Sequence, residues 1–120
     1  MLRLTEAPPH AFRGRRVLRR QLWVAVENGR PVGLVSVECY TDRSAELAVA
    51  VGPAKRGQGL CRRMVLAALE HGEMQEVDEV RAAIEPENRA SVRCFESVGF
   101  VRESDEPDDE NNLTFVHRRR

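Results

Sequence analysis

Apolar and polar positions alternate in the first half of the chain in a way that predicts strands. Trp23 to Glu27 (WVAVE) and Val32 to Tyr40 (VGLVSVECY) are rich in β-branched and aromatic residues, and Asn28-Gly29 in the short NGR between them favours a tight hairpin turn. A third strand, Ala45 to Val51, follows a turn at Thr41 to Ser44. From Leu60 the period lengthens. Cys61, Met64, Val65, Ala68 and Leu69 recur on one side while Arg62, Arg63, Glu70 and Glu73 are polar, which predicts a helix ending near His71-Gly72.

Val80 to Ile84 (VRAAI) is short and apolar enough for a buried strand, and Glu85-Pro86 stops it because proline cannot donate to a central ladder. A second helix opens near Asn88 or Ser91 and closes at Gly99, where glycine takes the left-handed conformation and Phe100 folds back on the last turn. Phe100 to Arg102 and Leu113 to His117 read as closing strands. Between them ESDEPDDE, Glu103 to Glu110, puts six carboxylates in eight residues, a solvated loop or a patch that attracts a cationic substrate. At the front, MLRL reads as a short strand that APP breaks, and RGRRVLRR, five arginines in eight residues, predicts a solvated helix face.

The 120 residues are read as a single domain, 1–120, around one core. Lys plus Arg and Asp plus Glu are 19 each, so no global field favours nucleic acid or a membrane surface. The arginine runs lack the interleaved aromatic residues that stack on bases, which argues against RNA or DNA as a partner. The longest apolar runs, Leu47 to Val51 and Val65 to Leu69, are far short of a membrane span, and the N-terminus has no apolar signal region, so a cytoplasmic protein is expected. Cys39, Cys61 and Cys94 are odd in number, without a Cys-x-x-Cys pair or a histidine at ligand spacing, so neither a disulfide framework nor a metal site is expected.

The chemistry concentrates in VGPAKRGQGLCRRM, Val51 to Met64, where a strand runs through a glycine-spaced basic turn into a helix. The first amides of a helix lack partners and its macrodipole is positive there, while glycines let the backbone approach an anion closely. A phosphate-binding Walker loop needs Lys-Ser/Thr after its second glycine, but Gly57 is followed by Gln58-Gly59. A dinucleotide fingerprint needs glycine where Arg62 stands. Both readings fail.

Arg56-Gly57-Gln58-Gly59-Leu60-Cys61 resembles instead the Gln/Arg-x-x-Gly-x-Gly/Ala loop of the GCN5-related N-acetyltransferases, which grips the pyrophosphate of coenzyme A. EPENRASVRCFESVGF, Glu85 to Phe100, resembles that family's Asn-x-x-Ser helix ending in Gly-Phe, and AELAVAVGP, Ala45 to Pro53, its fourth strand. The resemblance implies an α/β (α+β) fold: a mixed, mainly antiparallel, splayed sheet flanked by helices, with acetyl-coenzyme A in the gap between the Ala45–Val51 strand and a parallel Val80–Ile84 strand. It implies backbone bonds from Val49 and Val51 to the pantetheine arm, and the amides of Gly57, Gln58, Gly59, Leu60, Cys61 and Arg62 around the pyrophosphate. Arg56 and Arg62 would add side-chain contacts, whereas Lys55 and Arg63 are read as merely solvated. Asn88 would touch the cofactor arm or simply cap its helix.

The implied function is transfer of an acetyl group from acetyl-coenzyme A to a primary amine of a small molecule or protein by direct attack. A lysine-like amine is neutral in only about one molecule in a few thousand at pH 7, so a base is needed. Glu46, on the face shared with Ala48 and Ala50, matches the family's catalytic carboxylate. Phe95 stands where a tyrosine usually protonates the departing thiolate, and neither water nor Tyr40 is supported by spacing as its substitute. Cys61 occupies a position usually held by Gly or Ala and reads as a packed core thiol rather than an activated one. Only about twenty residues precede Trp23 where the family has a strand and two helices that form much of the acceptor wall, so an exposed edge favours a homodimer. The alternative is a catalytically weak or inactive module that binds coenzyme A or a protein partner.

Overall fold

The computed structural model describes residues 16–119. In chain order the elements are β1 (Val17–Glu27), β2 (Arg30–Tyr40), β3 (Ser44–Val51), a 3-10 turn (Pro53–Lys55), α1 (Leu60–Glu70), a second 3-10 turn (Gly72–Met74), β4 (Glu79–Ile84), α2 (Arg89–Val98), β5 (Val101–Arg102) and β6 (Leu113–Arg118). The six strands form one sheet in the order β1-β2-β3-β4-β6-β5. Every pairing is antiparallel except β3 with β4. That parallel pair needs a crossover, which α1 supplies.

The hairpin between β1 and β2 turns at Asn28 (φ 53°) and Gly29 (φ 77°), the left-handed pair that matches the right-handed twist of the flanking strands. Helix α2 ends at Gly99 (φ 106°), and the Phe100 amide donates to Phe95 O at 3.0 Å while the two rings meet edge to face at 4.9 Å. Both features match the sequence expectation.

The arginine-rich front does not. β1 begins at Val17 rather than Trp23, so Val17 to Arg20 are strand, not a solvated helix face. The reason is pairing: β2 extends to Tyr40 and offers ladder partners back to Val17. One face of this strand is exposed, so arginine is tolerated there, and Arg20 Nε donates to Glu38 Oε2 at 2.6 Å. The remainder of the arginine run before Arg16, and the MLRL strand expectation, lie outside the described residues.

One face of the sheet carries the core. Val35, Val37, Ala45, Leu47, Val80, Ala82 and Phe115 meet Met64, Val65 and Ala68 of α1 and Phe95 of α2 in a single buried cluster. Gly33 sets how closely α1 approaches: a Cβ there would stand 2.6 Å from Ala50 O and 2.7 Å from Met64 Cε. The opposite face is open along β1 and β2, where Leu18, Leu22, Val24 and Leu34 are 44–65% exposed.

Candidate active site

β3 and β4 pair only at Ser44–Glu79, Ala45–Val80 and Glu46–Arg81. Beyond Glu46 no strand among the described residues lies against that edge of β3. The Gly52 amide donates to Val32 O at 2.9 Å, which fixes the alternation of bonds between β2 and β3. Residues paired like Gly52, namely Ala50, Ala48 and Glu46, then direct their main-chain groups to β2. Leu47, Val49 and Val51 direct theirs the other way, into the gap. A cavity of about 260 Å³ occupies it, lined among others by Leu47, Val49, Ala82, Ile84, Asn88 and Phe95.

Both helices start at the open end of this gap, because α1 follows the C-terminal end of β3 and α2 that of β4. Ligands of α/β sheets bind at such an edge, where helix N-termini converge. Gly57 (φ 78°) and Gly59 (φ 74°) take left-handed conformations, and a Cβ on either would meet nothing within 4 Å. Backbone shape rather than crowding therefore demands glycine here. Gly59 is the N-cap of α1 and provides no side-chain cap. The first amide to bond back is Arg63 N–H to Gly59 O at 3.3 Å, and the amides of Gly57 to Arg62 donate to no acceptor among the described residues. Six donors at the positive end of a helix dipole form an anion cradle.

The surrounding side chains divide by role. Arg56 and Arg62 are exposed and make no ion pair with described residues, so they are available to an anion. Gln58 folds back, its Nε2 donating to Ala54 O at 3.4 Å. Lys55 and Arg63, expected to be merely solvated, instead meet Glu27 at 3.8 Å and 2.9 Å. Glu27 lies at the end of β1, 36 residues from Arg63, and no local sequence signal announces the contact. Asn88 Oδ1 accepts the Ser91 amide at 3.3 Å, so it caps α2 while lining the gap.

Glu46 is exposed on the same face as Ala48 and Ala50 and sits at the last paired position before the strands part. Its cross-strand neighbour is Glu38, which holds Arg20 and accepts the Tyr40 hydroxyl at 3.3 Å. Sequence reasoning passed over Glu38, although strand alternation with Glu46 would have found it. Phe95 is 2% exposed, borders the gap and packs edge to face with Phe100, and without a hydroxyl it offers no proton. A larger hollow of about 590 Å³ lies between β1 and α1, beside Trp23 stacked on His71 at 4.1 Å. Of the residues with unpaired amides only Leu60 borders it, and neither the glycines of the turn nor Asn88 does. Among the described residues no group of His, Cys, Asp and Glu is placed to hold a metal, and no helix is long and apolar enough to cross a membrane.

The uncharacterized N-acetyltransferase YfmK of Bacillus subtilis is 30% identical over 95 residues, 79% of this chain and 64% of that protein. A mycothiol acetyltransferase of Thermobispora bispora is 43% identical over 54 residues, 45% of this chain and 18% of that protein. The chain thus spans about 64% of the length of YfmK and less of the mycothiol enzyme. Among solved structures, the aminoglycoside acetyltransferase AAC(6')-Ib in complex with coenzyme A superposes with a TM-score of 0.73 at 21% identity, over 83% of this chain and 66% of that one. A chimera of the spermidine N-acetyltransferase SpeG from Vibrio cholerae gives 0.72 at 21% identity, over 82% and 66%. These structures share the fold: a mixed, mainly antiparallel sheet that splays, flanked by helices. The acetyltransferase (GNAT) domain family matches residues 6–101, and with the parted strands and the glycine-built cradle on one edge, the chain belongs to that family.

Proposed function

We propose that residues 1–120 form one N-acetyltransferase domain that moves an acetyl group from acetyl-coenzyme A to a primary amine. The observation that carries this is the set of unpaired amides from Gly57 to Arg62 beside a gap into which Val49 and Val51 turn main-chain groups. A diphosphate on the amides and an extended pantetheine arm along β3 would satisfy both. Each charge-assisted bond contributes about 1.5 to 3 kcal/mol, so a few of them give micromolar affinity. Arg56 and Arg62 add positive charge, and Asn88 borders the arm.

The thioester then falls near Glu46, which takes the proton from the attacking amine directly or through water. The neighbouring Glu38 is paired with Arg20, so Glu46 supplies the carboxylate that faces an ammonium acceptor on the open face. Relatives and neighbours named for aminoglycoside, spermidine and mycothiol acetylation support an amine acceptor. Phe95, buried and without a hydroxyl, favours the second reading, a coenzyme A-binding module of low turnover. The exposed Leu18, Leu22, Val24 and Leu34 support a homodimer, since such apolar strips mark interaction surfaces. Three free thiols accord with a cytoplasmic location.

Calorimetry with acetyl-coenzyme A, followed by thiol-release assays over a panel of amines, tests the reading. Binding that is lost in the Arg56→Glu, Gly59→Glu double variant, with turnover of at least one amine, is expected. Tight binding without turnover on any amine selects the second reading, and no binding at all discards both.

A further inference from the structure

Cys61 is the second residue of α1, Cys94 lies in the middle of α2, and the two helices pack together. Both side chains are half-buried against the shared core, and both are free thiols close enough to act on each other across the helix pair. Cys61 also belongs to the first turn whose amides form the cradle. Acetyl transfer uses neither sulfur.

We propose that Cys61 and Cys94 are a redox pair whose disulfide, formed by a hydroperoxide, ties the start of α1 to α2 and weakens the grip of the cradle on coenzyme A. The inference rests on the function proposed above. An S–S bond of about 2.05 Å is far shorter than a thiol-to-thiol hydrogen bond, so forming it draws the first turn of α1 toward α2. The amides of Leu60, Cys61 and Arg62 move with that turn.

The hydrogen bond from Cys94 holds the Cys61 thiol below its ordinary range, against the opposing effect of burial. That bond and burial both push Cys94 upward, while the nearby Arg62 lowers it. One sulfur is thereby favoured as the thiolate and the other keeps its proton, the division of labour of a peroxide-sensing pair. The Cys61 thiolate attacks the terminal oxygen of the hydroperoxide, the O–O bond breaks, Cys61 becomes a sulfenic acid, and the departing alkoxide or hydroxide takes up the proton that Cys61 lost on ionising and leaves as alcohol or water. The Cys94 sulfur then attacks the Cys61 sulfur: an S–S bond forms, the S–O bond breaks, and the departing hydroxide leaves with the Cys94 proton as water. Two electrons pass from the thiols to the peroxide, and a dithiol reductant reverses the change by exchange.

Cys39 is 1% exposed on β2, its thiol raised by burial, and serves as the internal control. The experiment treats the whole chain with hydrogen peroxide, counts free thiols after denaturation, maps the linked peptides, and measures acetyl-coenzyme A affinity before oxidation, after it and after reduction. The acetylated form is used because its own sulfur is blocked from exchange. The count should fall from three to one, with a Cys61–Cys94 link. Kd should rise about tenfold and recover with dithiothreitol. Cys94→Ser and Cys94→Ala should bind as the reduced protein does and keep that affinity after peroxide. Thiols that all stay titratable, a link between two chains, or an intact link with unchanged affinity would each overturn the proposal. Reduced protein that fails to bind acetyl-coenzyme A sinks the function above, and the closing of the cradle with it. The thiol count and peptide map report on the pair independently.

Discussion

Glu46 and Arg81 are the last residues that β3 and β4 bring side by side; one step further the strands have parted. On the other edge of β3 the register with β2 continues to Val51. A strand held firmly on one side and released on the other offers its main chain to a ligand without losing its shape. Glu46 puts a carboxylate at that point of release, which is why it is the residue proposed as the base.

Glu46→Gln should lower kcat/KM for a lysine-like amine by about 100-fold, the usual worth of a positioned base. Acetyl-coenzyme A affinity should be unchanged, since the side chain lies on the exposed face and not in the cradle. The deficit should shrink as pH rises toward 10, where the amine loses its proton unaided. Steady-state thiol release across pH reads both effects; a variant with wild-type kcat/KM at pH 7 removes Glu46 from the chemistry.

Gly59→Ala and Gly33→Ala should fail differently. At Gly59 the cost is backbone strain of about 1 to 2 kcal/mol at φ 74°, with no clash, and acetyl-coenzyme A binding should weaken as the turn relaxes. At Gly33 the new methyl meets Ala50 O and Met64, so stability should drop by about 1 to 3 kcal/mol while the folded fraction keeps its affinity. Denaturant melts paired with calorimetry separate them. Equal affinity losses in the two variants would contradict the assignment of the cradle.

Asn88 has two duties that substitution can part. Asn88→Ala should cost about 1 kcal/mol of stability by removing the cap on the Ser91 amide. Asn88→Ser keeps a cap and should melt close to the parent protein, yet bind acetyl-coenzyme A more weakly because its shorter side chain no longer borders the gap. If the serine variant matches the parent in both measurements, Asn88 is a cap alone.

His117 should make stability fall in mild acid. Burial and then Arg119 hold its pKa below the ordinary histidine value, so near pH 6 the unfolded chain takes up a proton that the folded chain resists. This contribution is complete above pH 6.5 and is lost as pH drops from there toward the lowered folded value. Urea midpoints at pH 7.5 and 5.5 should draw together in His117→Phe, which keeps a ring against Phe100. An unchanged gap between the two midpoints would acquit His117.

Wherever one residue type is nearly obligatory, the chain could be read directly. Asn28-Gly29, Gly57, Gly59 and Gly99 all occupy left-handed backbone, which few other residues tolerate, so the hairpin, the turn into α1 and the end of α2 were legible. The start of β1 was not, because Arg19 and Arg20 say nothing by themselves about a ladder whose other half lies at Glu38 and Cys39. Nor could the chain announce that Glu27 holds Arg63, or that Cys61 meets Cys94, since those contacts join separate elements.

The sequence by itself determined most of the strands and both helices, though not the start of β1, and where the backbone must turn, because hydrophobic period and glycine conformation act over a few residues. Only the tertiary structure decided how far β3 and β4 stay paired, which amides are left without partners, and which charges and thiols meet. Those depend on how α1 and α2 settle over one face of the sheet, a balance of packing between residues far apart along the chain.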